Sequence, residues 1–116
     1  MRSKSEVIIA NLLHAKGIDY HYEHPLELGG VVKYPDFTIE DDDAGITYLW
    51  EHCGMLHDLA YRRRWQEKQQ WYREHRILPL EQGGGPKGTL IVTRDQPDGG
   101  IDSAGISALI AKIGGR

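Results

Sequence analysis

The apolar positions of this chain fall into two rhythms. From Ser5 to Lys16, Ile8, Leu12 and Ala15 form one row and Ile9, Leu13 and Lys16 the next, the spacing of a helix that Gly17 stops. Tyr20–Leu28 is a run of strand formers interrupted by Pro25, and Val31–Ile39 is a second strand by its alternation. Ile46–Cys53 is a third, rich in β-formers. A helix follows from Asp58 to His75. Thr89–Thr93 is short and apolar throughout, which suits a strand buried on both faces. Ile106–Ile113 is a last helix, with Asp102 or Ser103 as its cap. The order α-β-β-β-α-β-α predicts an α/β fold with a mixed central sheet flanked by helices.

Composition bounds this picture. The 116 residues make one domain, 1–116, with 40% hydrophobic and 27% charged residues, a globular composition. No apolar run approaches the roughly 20 residues of a membrane span, and the start, Met1-Arg2-Ser3-Lys4-Ser5-Glu6, has no signal-peptide core. The one cysteine, Cys53, excludes an internal disulfide and fits a cytoplasmic protein. The net charge of -3 argues against a general coat for nucleic acid, while leaving room for a local basic patch.

The candidate chemistry starts at the turn Asp41-Asp42-Asp43-Ala44-Gly45. A hairpin centred between Asp43 and Ala44 puts Asp36 directly opposite Glu51. Alternation places both on one sheet face: Tyr34, Asp36 and Thr38 on one strand, Leu49, Glu51 and Cys53 on the other. Two like charges so placed repel, and a divalent cation between them reverses the sign. Hard oxygen ligands suit Mg²⁺ or Mn²⁺. A pair of surface carboxylates is the alternative, but Tyr-Leu-Trp-Glu-His-Cys is too apolar for a wet face. Glu6 heads an inward row with Ile9, Ala10 and Leu13, so it is a third candidate ligand. It equally completes a capping box with Ser3.

These residues resemble the PD-(D/E)xK nuclease superfamily. Its restriction-endonuclease-like core runs α-β-β-β-α-β, here with an extra C-terminal helix. Pro35-Asp36 and Glu51 match its motif, and Glu6 matches an acidic position that many members carry. Tyr34-Pro35-Asp36-Phe37-Thr38-Ile39 with Trp50-Glu51-His52-Cys53-Gly54-Met55-Leu56 looks like the nuclease-type domains appended to DNA helicases and repair proteins. The family's lysine would stand at position 53, where this chain has Cys53. Related nucleases move that lysine to the following helix. Lys68 fits, because it stands in the stripe Tyr61, Trp65, Lys68, Tyr72, though a lysine can also snorkel from such a row. Gln69 neighbours the stripe and can assist.

The segment 61–76 is basic, with Arg62, Arg63, Arg64, Lys68, Arg73 and Arg76 against Glu67 and Glu74. It reads as phosphate-binding, or else as a solvated face. Trp65 and Trp71 can stack on bases or pack in the core. His52 can touch a phosphate or be a core histidine. His52, Cys53 and His57 are too few and too ill-placed for zinc. Gly83-Gly84-Gly85-Pro86-Lys87-Gly88 lacks the ending of a phosphate-binding P-loop and reads as a flexible loop.

The resemblance thus implies a Mg²⁺- or Mn²⁺-dependent nuclease hydrolysing DNA in repair, recombination or helicase-coupled processing. Asp36, Glu51 and Glu6 would be its metal ligands, Lys68 its charge-stabilising residue, and Arg62, Arg63, Arg64, His52 and Gln69 its nucleic-acid contacts. The alternative is an inactive nuclease-fold module that binds DNA for a helicase partner. The ending Gly114-Gly115-Arg116 suggests a domain cut from a larger protein, and its small size suggests a fused helicase or a homodimer.

Overall fold

Ser3 opens the first helix of the computed structural model, which describes residues 3–114; Met1, Arg2, Gly115 and Arg116, used above for the reading of the chain ends, lie outside the described residues. The Ser3 hydroxyl accepts from the Glu6 amide and the Glu6 carboxylate accepts from the Ser3 amide, each at 3.2 Å. This capping box starts α1 (Lys4–Ala15), and such a cap contributes ~1 kcal/mol. Gly17, with φ of +69°, turns the chain away at the other end.

The two strands expected over Tyr20–Leu28 and Val31–Ile39 are each broken in two. The pieces are β1 (His21–Tyr22), β2 (Leu26–Leu28), β3 (Val31–Lys33) and β4 (Phe37–Asp41). Pro25 and Pro35 stand in the two breaks, where a residue without an N–H cannot continue a ladder. β2 and β3 form a separate two-stranded hairpin across Gly29-Gly30. Asp36 therefore lies one residue before β4, in the break, and not within a strand.

β5 (Ile46–Cys53) is as expected, and its pairing with β4 runs from Asp41↔Ile46 to Phe37↔Trp50. The hairpin is centred between Asp43 and Ala44, so Asp36 and Glu51 stand one step beyond the last ladder pair. α2 (Leu59–Glu74) starts at Asp58, whose carboxylate accepts from the Tyr61 amide at 3.0 Å. A short strand that the sequence did not announce, β6 (Ile77–Pro79), follows it. Then come a 3-10 turn (Leu80–Gln82), β7 (Gly88–Arg94) and α3 (Ser103–Ile113). α3 begins three residues ahead of the expected Ile106, with Asp102 as its cap.

The glycine run is not the loose loop expected. Gly84 donates to the Pro79 carbonyl at 3.0 Å and Gly85 to the Gly88 carbonyl at 3.0 Å. A side chain at Gly85 would collide with the backbone of Arg76 and Leu78. Glycine is there because two chain segments touch.

The five-stranded sheet has the order β1-β4-β5-β7-β6, antiparallel on the β1–β4–β5 side and parallel on the β5–β7–β6 side. The molecule is thus an α/β domain with a mixed sheet and three helices. Period-2 alternation sorts the core into two layers. Phe37, Ile39, Tyr48, Trp50 and Ile91 pack against α1 and α3, while Leu49, Leu90 and Ile77 pack against Trp71 and Tyr72 of α2. Each such large side chain contributes about 1.5–3 kcal/mol when buried. Among the described residues no helix is long and apolar enough to cross a membrane.

Candidate active site

The α2 side of the sheet is not apolar to its end. Glu51 follows Leu49 and Trp50 on β5 and is 4% exposed, inside a strand whose Tyr48, Leu49, Trp50 and Cys53 belong to the core. Its carboxylate is met from α2: Tyr72, fully buried, donates its hydroxyl to Glu51 Oε2, and Lys68 Nζ lies 2.6 Å from the same oxygen. Lys68 and Tyr72 are four apart, so one helix face presents both donors to one acceptor. Lys68 Nζ also donates to the Tyr34 carbonyl at 2.9 Å. The lysine is thus fixed between the strand that carries Glu51 and the segment that leads into Pro35-Asp36.

Asp36 reaches across the open end of the β4–β5 ladder. Its Oδ2 accepts from the His52 backbone amide at 2.7 Å. Burial, and then the negative charge of Glu51, push the Asp36 carboxyl up to about 7. Burial also raises the pKa of Glu51, against the opposing pull of Lys68 and Tyr72. Burial is the first cause of both shifts, and Lys68 opposes both. With burial as the larger cause and the Glu51 charge next, the Cys53 thiol is pushed up to about 12; it is buried and neutral at physiological pH.

Glu6, Asp36, Glu51, His52, Tyr61, Arg64, Trp65 and Lys68 line one open cleft of about 400 Å³. Glu6 sits there with its carboxylate already engaged, by its own cap and by the Tyr22 hydroxyl at 2.9 Å. The capping box expected of Glu6 is present, and the same residue also lines the cleft. Among the described residues, no group of three or more His, Cys, Asp or Glu is arranged to hold a metal ion. The donor set is two carboxylates, Asp36 and Glu51, with Glu6 on the same wall. That suits Mg²⁺, which is usually bound through one or two carboxylates, waters and substrate phosphate and not in an all-protein cage.

Of the expected nucleic-acid contacts, Arg64 lines the cleft, while Arg62 and Arg63 are exposed beside it on the first turns of α2. Gln69 is half-buried outside the lining. The ring of His52 is 2% exposed and bonded within the protein through both nitrogens, so its contacts are those of a core histidine. What it gives the cleft is its backbone amide. Trp71 is buried against Tyr72 and His75 and is not available for stacking, whereas Trp65 is half-buried in the cleft wall. A larger hollow of about 530 Å³ at the acidic turn is lined by Asp19, Glu40 and Asp41–Asp43 with Ile18, Ile39 and Ile113. It has no basic side chain to meet a phosphate. Sequence reasoning missed Tyr72 as a carboxylate ligand and Asp95, which holds the His52 ring. Tyr72 was visible as a stripe residue.

No protein-family model matches the chain. A stretch of 70 residues, 60% of the chain, is 40% identical to an uncharacterized protein, MJ1519, of Methanocaldococcus jannaschii. The match spans only 6% of that protein, whose length is therefore on the order of a thousand residues. No solved structure matches.

Proposed function

We propose that this domain is a divalent-metal-dependent nuclease with a restriction-endonuclease-like core, hydrolysing phosphodiester bonds of DNA. The observation that carries the reading is the 2.6 Å contact between Lys68 Nζ and Glu51 Oε2. The lysine missing at position 53 has a counterpart that reaches the same carboxylate from α2. The order α1, β1, β4, β5, α2, β7 follows the α-β-β-β-α-β core of the PD-(D/E)xK superfamily, with β2–β3 as an insertion and β6 and α3 as additions. The match to a short part of a very long relative supports a module that works within larger proteins.

Asp36 and Glu51 would hold Mg²⁺ or Mn²⁺, with Glu6 on the outer side. A metal bound there supplies charge neutralisation at the phosphate and a lowered pKa for an attacking water. The rest falls to the chain's own groups. Lys68 places a fixed ammonium beside Glu51, where negative charge grows on a phosphate oxygen as the bond to water forms. A preset charge of this kind acts without reorganisation and is worth about a hundredfold or more in rate. Arg64 offers a second phosphate contact at the cleft wall. The His52 amide and the Tyr72 hydroxyl fix the orientations of the two carboxylates, so that neither acid rotates away when the substrate enters.

The test is incubation with plasmid and with single-stranded DNA in Mg²⁺ and in Mn²⁺. Cleavage that stops in EDTA and is lost in Asp36→Asn and Glu51→Gln supports the reading. DNA binding without cleavage under every metal condition points instead to a binding module for a helicase partner.

A further inference from the structure

The last turn of β5 carries a chain of hydrogen bonds that the reaction does not use directly. Trp50 Nε1 donates to Thr93 Oγ1 at 2.9 Å. Thr93 Oγ1 lies 2.8 Å from His52 Nδ1, and His52 Nε2 lies 2.7 Å from Asp95 Oδ1. Ser5 donates its hydroxyl to that same Asp95 oxygen at 2.6 Å. The proton directions follow from the ends. An indole nitrogen only donates, and a carboxylate only accepts. His52 therefore carries its proton on Nε2. When the ring is neutral, Thr93 accepts from Trp50 and donates to Nδ1.

Two residues in this chain have neighbours in the cleft. The backbone amide of His52 holds Asp36 Oδ2 at 2.7 Å. Ser5 precedes Glu6, and both sit in the first turn of α1. A further bond, from the Asp95 amide to the Cys53 carbonyl at 3.0 Å, ties the loop after β7 to the end of β5.

We infer that Asp95 is a positioning residue for the cleft: through His52 it fixes the amide that orients Asp36, and through Ser5 it fixes the start of the helix that carries Glu6. One carboxylate thus aligns acids from two separate elements. Partners that orient metal-binding groups in this way are worth ~10–100-fold in metal affinity. This rests on the metal-site reading above, but part of its test does not.

Three variants and two measurements decide it. Asp95→Ala removes both bonds. Ser5→Ala removes one and places a good helix former in α1. Asp95→Asn keeps an oxygen that can accept from both Ser5 and His52, and its side chain is 22% exposed, so the new amide nitrogen can meet water. Nitrogen-15 NMR of the metal-free protein reads the His52 ring and its amide. The expected result is an Nε2-protonated ring and a downfield His52 amide in wild type and in Asp95→Asn. Both signals should be lost in Asp95→Ala, and the amide signal weakened in Ser5→Ala. Calorimetric titration with Mn²⁺ should show affinity reduced about tenfold or more in Asp95→Ala and recovered in Asp95→Asn. If Asp95→Ala does not fold, Ser5→Ala against wild type carries the comparison. A His52 amide unchanged in Asp95→Ala, or in Ser5→Ala where it stands alone, overturns the inference, as does Mn²⁺ affinity within twofold of wild type in the same variant. A wild-type protein that takes up no Mn²⁺ overturns the metal reading instead, and the NMR comparison then decides the role of Asp95 alone.

Discussion

Lys68 is the residue on which an active enzyme and a relic part. Its ammonium neutralises Glu51, which is otherwise a nearly buried anion. Lys68→Ala should lower the cleavage rate at least about a hundredfold. It should also cost stability in a pH-dependent way. Glu51 already has a raised pKa from burial, and losing Lys68 raises it further. The folded state then holds a proton that the unfolded state releases, so stability falls as pH rises through the folded value. Chemical denaturation should show Lys68→Ala falling further below wild type as pH rises from 5 to 8, with Lys68→Ala/Glu51→Gln recovering most of the loss. Asp36 obeys the same sign. Its carboxyl, at about 7 when folded against about 3.9 in a free chain, makes the metal-free protein lose stability from roughly pH 4 to pH 7 and level off above. Asp36→Asn should abolish that part of the slope and match or exceed wild type at pH 8; an unchanged slope would show that Asp36 is not the group responsible. That Asp36, Glu51 and Lys68 meet in one cleft was legible because each rests on local periodicity: the hairpin count for Asp36 and Glu51, the helical stripe for Lys68. Asp95 was not, because it lies in a loop after β7, where no period applies, and its partners are 43 and 90 positions away in sequence.

At the scale of elements, α2 presents two sets of side chains. One face brings Tyr72 and Lys68 to Glu51 with Arg64 a turn earlier at the cleft, while Arg62 and Arg63 are exposed outside its lining. The structure separates these arginines, since Arg64 alone of the three lines the cleft. Replacing all three by Ala should weaken DNA binding for every sequence alike and make the salt dependence shallower by up to about 0.9 per lost phosphate contact. Arg64→Ala alone should reduce cleavage more than Arg62→Ala or Arg63→Ala does. Equal effects from all three would leave the run as a diffuse basic face. The helices α1 and α2 were legible because each is long enough to show its period, and β5 and β7 because each is a run of strand formers. The breaks at Pro25 and Pro35 were harder, because the residues on either side keep strand character while the chain leaves the sheet. β6 has three residues, Ile77–Pro79, too few for any rhythm, and exists only because β7 pairs with it. The glycine run after it was read as slack for the same reason: composition cannot reveal that Gly85 is pressed against Arg76 and Leu78.

For the whole molecule, the cleft joins the two halves of the core. Glu51 is bonded to α2, and Asp36 is bonded to the end of β5, which His52 ties through Asp95 to α1 and to the loop after β7. A cation bound between the two acids stabilises every part of that connected frame, and it also removes the repulsion that pushes Asp36 up to about 7. A ligand that binds only the folded state adds about 2.7 kcal/mol at a hundred times its dissociation constant. In a domain of this size that corresponds to a rise of roughly 10 °C in melting temperature. Mn²⁺ at that excess should therefore raise the wild-type melting temperature by about this amount, and EDTA should reverse it. Asp36→Asn and Glu51→Gln should melt at one temperature with and without the metal. The Arg62, Arg63 and Arg64 triple variant should keep the full rise, because those cationic side chains are exposed on α2 and are not among the carboxylates proposed to hold the metal. The comparison separates the two readings of the molecule. A metal-dependent rise with no cleavage describes a domain that keeps the site and has lost the reaction. No rise in wild type at any accessible Mn²⁺ or Mg²⁺ concentration removes the metal from the site, and with it the metal-dependent hydrolytic reading.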